Sequence, residues 1–286
     1  GCGKTTVGLS LLRLAAAQAG RVWSGGEDLL TLPEDAMRER RSDLQIIFQD
    51  PMASLVPRMR VRDAIAEGLL SFGIGDGESE RTDRIAALLT RVQLDPDAMW
   101  RYPHEFSGGQ RQRICIARAL AVEPRLIVCD ESVSALDVSI QAQILNLLQD
   151  LQAELGLSYL FITHDLNVVQ PLADRVGVMY LGRLVETADA EALFREPLHP
   201  YTQALISANP VPDPELDLTP QALEGEVPSP MAPPPGCHFH PRCPHVHERC
   251  RVEVPRLRDH GADGTRQVAC HLYDDPESDR EDPPAR

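Results

Sequence analysis

The sequence predicts an α/β fold: a mostly parallel sheet, an inserted helical subdomain and a small C-terminal extension. Three observations predict it. Short apolar runs at 44–48, 126–129 and 159–163 are strand-sized and bounded by polar residues or proline, as buried parallel strands are. Helical patterns separate those runs, which implies βαβ units. From Asn209 to Gly236 the chain changes character and carries nine prolines, so a distinct extension follows the sheet.

Taken in order, Thr5–Ala19 reads as a helix, with Val7, Leu11 and Leu14 on one face and Gly20 closing it. The run Leu44–Phe48 ends at the polar Gln49-Asp50-Pro51. Between Pro57 and Leu120 the pattern is helical; Ile85, Leu88, Leu89 and Val92 keep one stripe, and Gly73–Gly77 reads as a loop. Leu126–Cys129 lies between Pro124 and two acids. Ile140–Leu155 is a long amphipathic helix with Ile144, Leu147, Leu148 and Leu151 inward and Gly156 as its stop. After Tyr159–Thr163, Val176–Tyr180 is a further strand, and Gly182 turns the chain into another around Leu184–Glu186. The proline-rich segment is a linker or wrapping strap, because proline removes backbone donors and stiffens the chain. The tail after Tyr273 is acidic and proline-containing, a composition that favours disorder.

Composition narrows the function classes. At 43% hydrophobic and 25% charged residues over 286 positions, the chain is globular. No apolar run approaches the roughly 20 residues that span a bilayer, so a membrane role must run through a partner. A formal net charge of −15 argues against a nucleic-acid surface, which needs clustered Lys and Arg. Of seven cysteines, Cys2, Cys115 and Cys129 stand singly and suit core filling, whereas Cys237, Cys243, Cys250 and Cys270 cluster late.

Three motifs carry chemistry. Gly1-Cys2-Gly3-Lys4-Thr5-Thr6 is the second half of a G-x-x-x-x-G-K-[ST] phosphate loop. Glycines there let backbone N–H groups close on phosphate oxygens, and the helix dipole adds positive potential. Lys4 would reach the β- and γ-phosphates and the Thr5 hydroxyl would ligate Mg²⁺. The sequence begins inside this loop, without its first glycine. The natural N-terminus and the residue that stacks on adenine are therefore expected to be missing, and this stretch alone is expected to bind ATP poorly. Next, Leu126-Ile127-Val128-Cys129-Asp130-Glu131 puts two carboxylates at the end of a buried strand, beside the phosphate loop of an open α/β sheet. Asp130 would hold Mg²⁺ and Glu131 would polarise the attacking water.

The third motif, Phe106-Ser107-Gly108-Gly109-Gln110-Arg111-Gln112-Arg113, opens a helix on a serine and two glycines, a second anion-binding N-terminus. One domain with one nucleotide has no evident use for two such sites. Two copies packed head to tail do, each completing the other's ATP site.

Together these residues resemble the ABC ATPase family, whose signature reads close to LSGGQ, with Phe106 in place of the leucine. The resemblance implies a P-loop NTPase (RecA-like) fold and further roles. Gln49 matches the Q-loop glutamine, which contacts Mg²⁺ and the attacking water. Ser134-Ala135-Leu136-Asp137 matches the D-loop at the dimer interface, and His164 the switch histidine at the γ-phosphate. Segments from Gln49 to Met59, His104 to Arg113 and Val133 to Asp150, with His199-Pro200-Tyr201-Thr202-Gln203-Ala204-Leu205, look like the oligopeptide/dipeptide importer branch. Val56 stands where Asn is common there and Ser132 where Pro or Ala is common; neither removes a catalytic group.

The expected organisation is an ABC ATPase domain over residues 1–195, its helical subdomain at about 57–120, and a C-terminal extension over 196–286. The resemblance implies a subunit that hydrolyses ATP to power uptake of dipeptides or oligopeptides. Nickel or glutathione are alternative cargoes, and a soluble non-transport ATPase is a further alternative. Its partners would be a second ATPase subunit, two transmembrane permeases and, indirectly, an extracytoplasmic solute-binding protein, with no nucleic acid. It would sit peripherally on the cytoplasmic face of the membrane.

The late cysteines allow three readings: zinc, an iron–sulfur cluster, or no ligand. A cytosolic ATPase keeps its thiols reduced, which argues against disulfides. Four thiolates suit either metal group, but the spacings are wider than C-x₂-C zinc knuckles. His238, His240, His245 and His247 could serve zinc or stand solvated. In the importer branch, such cysteines resemble those that hold a [4Fe–4S] cluster.

Overall fold

The computed structural model describes residues 3–208, 223, 225–261 and 264–274 of the chain. Gly1, Cys2, the first part of the proline-rich segment and the end of the acidic tail lie outside the described residues. The chain divides into two compact units, Thr5–Asp165 and Leu166–Arg286 with the first four residues.

Helix α1 (Lys4–Leu11) leads into the first of these units, followed by β1 (Trp23–Ser24), β2 (Glu27–Asp28), α2 (Glu34–Arg40) and β3 (Leu44–Ile47). Next come α3 (Pro51–Ser54), α4 (Val61–Ser71), α5 (Glu78–Arg91) and α6 (Gly108–Leu120). The unit closes with β4 (Leu126–Asp130), α7 (Val138–Leu155) and β5 (Ser158–Ile162). Strands β3, β4 and β5 form a parallel sheet in that order, Leu44 opposite Leu126 and Leu126 opposite Ser158. The central strand is covered on both faces: Ile127, Val128 and Cys129 are fully buried. That is why its sequence is continuously apolar rather than alternating. Burying Ile127 and Val128 stabilises the unit by about 1.5–3 kcal/mol apiece. Burial pushes the Cys129 thiol up to about 12 and the Cys115 thiol up to about 11, so both remain protonated core filler.

Helix α1 is shorter than the sequence predicts, and it buries a different face. It stops at Leu11 instead of running to Ala19. Leu14 N and Ala15 N both donate to Leu9 O, at 2.8 and 3.3 Å, and Arg13 takes a left-handed φ of +53°. The Arg13 guanidinium donates to Leu32 O at 2.6 Å and to Glu34 at 3.3 Å. These tertiary bonds outweigh helix propensity, which is worth only tenths of a kcal/mol per residue. Val7 and Leu14 are exposed, whereas Gly8 and Leu12 are buried. Gly8 lets the helix approach the sheet: a Cβ there would lie 2.7 Å from Ile162 Cδ1 and 3.1 Å from Val128 Cγ1.

Helices α4, α5 and α6 pack on one another, with Ile65, Leu69, Ile85, Leu89 and Ile114 buried among the core residues. The expected Gly73–Gly77 loop separates α4 from α5. Helix α6 also touches β3 and α7.

The second unit holds α8 (Leu166–Leu172), β6 (Arg175–Tyr180), β7 (Arg183–Asp189), α9 (Ala190–Arg195) and α10 (Pro200–Ser207). After the proline-rich segment come α11 (Glu248–Val252), β8 (Arg258–Asp259) and β9 (Gln267–Val268). Its sheet is antiparallel, in the order β6-β7-β9-β8. The parallel sheet is therefore accompanied by separate antiparallel ones, because Leu181-Gly182 makes a two-residue hairpin. Both residues have positive φ, +42° and +81°, the primed-turn geometry that folds a strand straight back on itself. Tyr180, Val185, Ala188, Leu193 and Phe239 centre the core, with Tyr201 and Cys237 packed against it.

Glu186 anchors this unit. It is fully buried on β7 and accepts hydrogen bonds from Leu198 N and His199 N, each at 2.9 Å. Arg266 Nη2 lies 3.6 Å from the same carboxylate. His199 in turn caps α10, its Nδ1 accepting from Tyr201 N at 3.0 Å. Burial pushes the His199 imidazole down to about 4, so it stays neutral and can serve as that acceptor. Among the described residues no helix is long and apolar enough to cross a membrane.

Candidate active site

Two strand ends and two helix starts in the Thr5–Asp165 unit bring five predicted residues together. Asp130 ends β4, where it is buried, and its Oδ1 accepts from Thr5 Oγ1 at 3.1 Å. A hydroxyl and a buried carboxylate in contact are hard oxygen donors, a set that suits Mg²⁺, which takes few protein ligands.

Glu131 is the next residue along the chain. Gln49 Nε2 donates to its Oε2 at 2.8 Å, and His164 Nδ1 lies 3.2 Å from its Oε1. Its side chain is 20% exposed and that of His164 65%, so the carboxylate is held from both sides yet open to water. The backbone is strained at this point: Glu131 has φ +47°, a conformation that costs a non-glycine residue on the order of 1–3 kcal/mol. Neighbouring bonds hold it. Glu131 N donates to Ile162 O at 2.8 Å, while Ser134 N and Oγ donate to Glu131 O at 3.1 and 2.9 Å. The backbone at Gln49 is fixed by its neighbour Asp50, which caps α3 by accepting from Met52 N at 2.7 Å and Ala53 N at 3.2 Å.

Ser107, Gly108, Gly109 and Gln110 build a separate helix start. Ser107 Oγ accepts from Gln110 N at 3.3 Å and Gln110 Oε1 from Ser107 N at 3.0 Å, a reciprocal capping box. Gly109 has a packing reason as well, because a Cβ there would stand 2.5 Å from Ile140 Cγ2. Asp137 caps α7, accepting from Ile140 N at 3.0 Å and Ser139 Oγ at 2.9 Å. The Ile140 N–H and then the Ser139 hydroxyl hold its carboxyl below the usual range. Gly3 adopts φ +91°, Lys4 opens α1, and Thr6 is exposed in its first turn.

Sequence reasoning missed several supports. Arg118, on α6, donates through Nη1 to Ser54 O and so ties α3 to the helix that Ser107 starts. Gln141 donates to Asp165 at 3.2 Å, and Thr163 Oγ1 accepts from Asp165 N at 3.0 Å. These bonds involve side chains far apart in sequence or loop backbone, for which no periodicity gives a signal.

In the other unit, Cys237, Cys243, Cys250 and Cys270 come within electrostatic reach of one another. Burial raises the Cys237, Cys243 and Cys270 thiols, Cys270 to about 12, and neighbouring thiols add to each shift. Cys237 N donates to Cys250 O at 2.9 Å. Gly236, at φ +67°, lets those segments meet, since a Cβ there would lie 2.5 Å from Cys250 O. Among the described residues no three His, Cys, Asp or Glu side chains are arranged to hold a single metal ion.

Comparison with known proteins matches residues 1–134 to the ABC transporter family and residues 185–250 to the oligopeptide/dipeptide transporter C-terminal region. The oligopeptide transport ATP-binding protein OppF of Salmonella typhimurium is 53% identical over 259 residues, covering 90% of this chain and 78% of that protein. OppF of Escherichia coli is likewise 53% identical, with the same coverage. Among solved structures, cbiO1 from Clostridium perfringens, part of the ABC transporter complex cbiONQ, superposes with a TM-score of 0.61 at 27% identity. It covers 68% of this chain and 76% of its own. The dimeric ATP-binding cassette MJ0796 bound to ADP and Pi gives a TM-score of 0.59 at 28% identity, over 66% and 81% of the two chains.

Proposed function

The chain belongs to the ABC transporter ATP-binding family, in its oligopeptide/dipeptide branch, and on that basis we propose that it hydrolyses ATP to drive uptake of dipeptides or oligopeptides. The observation that carries the chemistry is the Glu131 carboxylate, bonded by Gln49 on one side and His164 on the other. Glu131 takes the proton of the attacking water, and Gln49 and His164 hold its carboxylate in place for that transfer. Gly3, Lys4 and the N–H groups opening α1, with Gly1, Cys2 and Thr6, cradle the phosphates. Thr5, Asp130 and Gln49 would hold Mg²⁺, which supplies charge neutralisation on the β- and γ-phosphates when bound.

The Ser107–Gln110 helix start and Asp137 complete the site of a second ATPase subunit packed head to tail. Residues 1–195 form the ATPase domain and 196–286 the extension of this branch. The complex includes two transmembrane permeases, with a solute-binding protein outside, and places this subunit on the cytoplasmic face of the membrane. Reconstitution with the permeases is the test. ATP turnover is expected to rise when binding protein loaded with di- or oligopeptide is added. Stimulation by nickel or glutathione instead, with none by peptide, would reject the cargo.

For the cysteines we propose a [4Fe–4S] cluster on Cys237, Cys243, Cys250 and Cys270. Burial raises the Cys237, Cys243 and Cys270 thiols and neighbouring thiols, Cys250 among them, add to each shift; four thiolates are the donor set such a cluster takes. Anaerobically purified protein is expected to carry about four irons per chain and absorb near 400 nm. A colourless, zinc-loaded protein would reject the cluster.

A further inference from the structure

Beside the hairpin of β6 and β7, the C-terminal unit encloses an open cavity of about 720 Å³, within the roughly 300–1,000 Å³ typical of small-molecule sites. Its charge runs against the molecule's. The chain as a whole carries −15, yet among the described residues the cavity is lined by Arg183, Arg256 and His238 and by no Asp or Glu. Neither arginine makes an ion pair with a carboxylate among the described residues. Arg183 Nε donates to His238 Nε2 at 3.3 Å, so that ring nitrogen accepts and the proton sits on Nδ1, which donates to Leu181 O at 3.1 Å. The hairpin backbone thereby orients the Arg183 guanidinium through a neutral imidazole, with no opposing charge consumed. The remaining wall carries the Cys237 thiol and is otherwise mostly apolar: Leu184 and Val254 are 44% and 38% exposed. Tyr180 also lines the cavity, and its buried hydroxyl has no hydrogen-bond partner among the described residues.

We propose that this cavity binds a small organic anion, its carboxylate, sulfonate or phosphate seated on Arg183 and Arg256 and its apolar body against Leu184 and Val254. Paired guanidinium donors favour such flat anionic groups, and the lack of any acid in the described lining disfavours a cationic or zwitterionic ligand. Cys237 also lines this cavity, so the site shares one wall with the proposed cysteine cluster, while it shares no residue with the proposed ATP chemistry.

The probe is 8-anilinonaphthalene-1-sulfonate, titrated by fluorescence into the whole protein. One saturable site is expected, weakened about 10-fold or more by Arg183→Glu and by Arg256→Glu. Arg195→Glu, outside the cavity, is expected to leave it unchanged. Both cavity arginines are exposed, so the fold should tolerate the exchanges; near-UV circular dichroism checks this, and Leu184→Asp gives an independent apolar-wall variant expected to weaken binding. Displacement by phenyl phosphate or by benzoate identifies the preferred head group, and either supports the site. Binding that does not saturate, that ATP alone displaces, or that ignores both arginine reversals would overturn it.

Discussion

In a protein that carries the whole phosphate loop, Glu131→Gln is expected to keep ATP binding and dimerisation while losing about 10²- to 10⁴-fold in turnover, the range for removing a general base. The amide has the same shape, can still meet Gln49 and His164, and leaves the strained backbone and its Ser134 and Ile162 bonds in place. What it lacks is a lone pair basic enough to take a proton from water. Phosphate release under saturating ATP measures the loss, and nucleotide retention with size-exclusion chromatography measures binding and dimerisation. Because the partner's Ser107–Gln110 helix start would close on an ATP that is no longer consumed, the dimer should persist longer than in the parent protein. Normal hydrolysis by this variant would remove Glu131 from the base role.

Glu186→Ala is expected to cost about 3–5 kcal/mol, the penalty for removing one member of a buried pair. Its carboxylate is fully buried and takes the Leu198 and His199 N–H groups, with Arg266 Nη2 3.6 Å away. Deleting it strands two backbone donors and leaves Arg266, whose side chain is only 13% exposed, with Glu196 3.5 Å from its Nη1 as its remaining carboxylate. Such a loss is a large share of the roughly 5–15 kcal/mol that holds a typical domain, so α10 and the aromatic core beneath it should loosen first. Glu186→Gln retains an acceptor oxygen and should cost less, about 1.5–3 kcal/mol, the worth of a charged hydrogen bond. Urea unfolding followed by tyrosine fluorescence checks both. An unchanged midpoint for the alanine variant would show that the α10 start is held by packing alone.

Much of the site was legible because the chemistry restricts residue type. Lys4, Thr5, Asp130 and Glu131 stand in motifs where few side chains suit the proposed chemistry, and local pattern put Asp130 and Glu131 at a strand end; Gln49 and His164 were expected only through the family resemblance. The core strand β4 and helix α7 were legible for a similar reason: continuous apolar burial and a 3.6-residue stripe leave a direct trace in composition. Glu186 and Arg118 left no such trace. An acid inside a strand looks like a solvated position until the chain brings α10 back over it. An arginine in a helix looks like surface until its guanidinium reaches Ser54 O.

Local sterics and periodic burial act between near neighbours, so the order of residues alone was enough to say which groups exist and where helices and strands begin to be favourable. The parallel β3-β4-β5 sheet and the phosphate-loop, carboxylate and serine–glycine motifs belong to that part. The end of α1 at Leu11 does not, because long-range bonds from Arg13 compete with the next helical turn. Nor do the antiparallel pairing of β6 with β7 and the meeting of Gln49 and His164 on Glu131. Such outcomes rest on groups that come together only when the chain has folded, and the free energy of those contacts is set by the assembled packing rather than by neighbours along the chain.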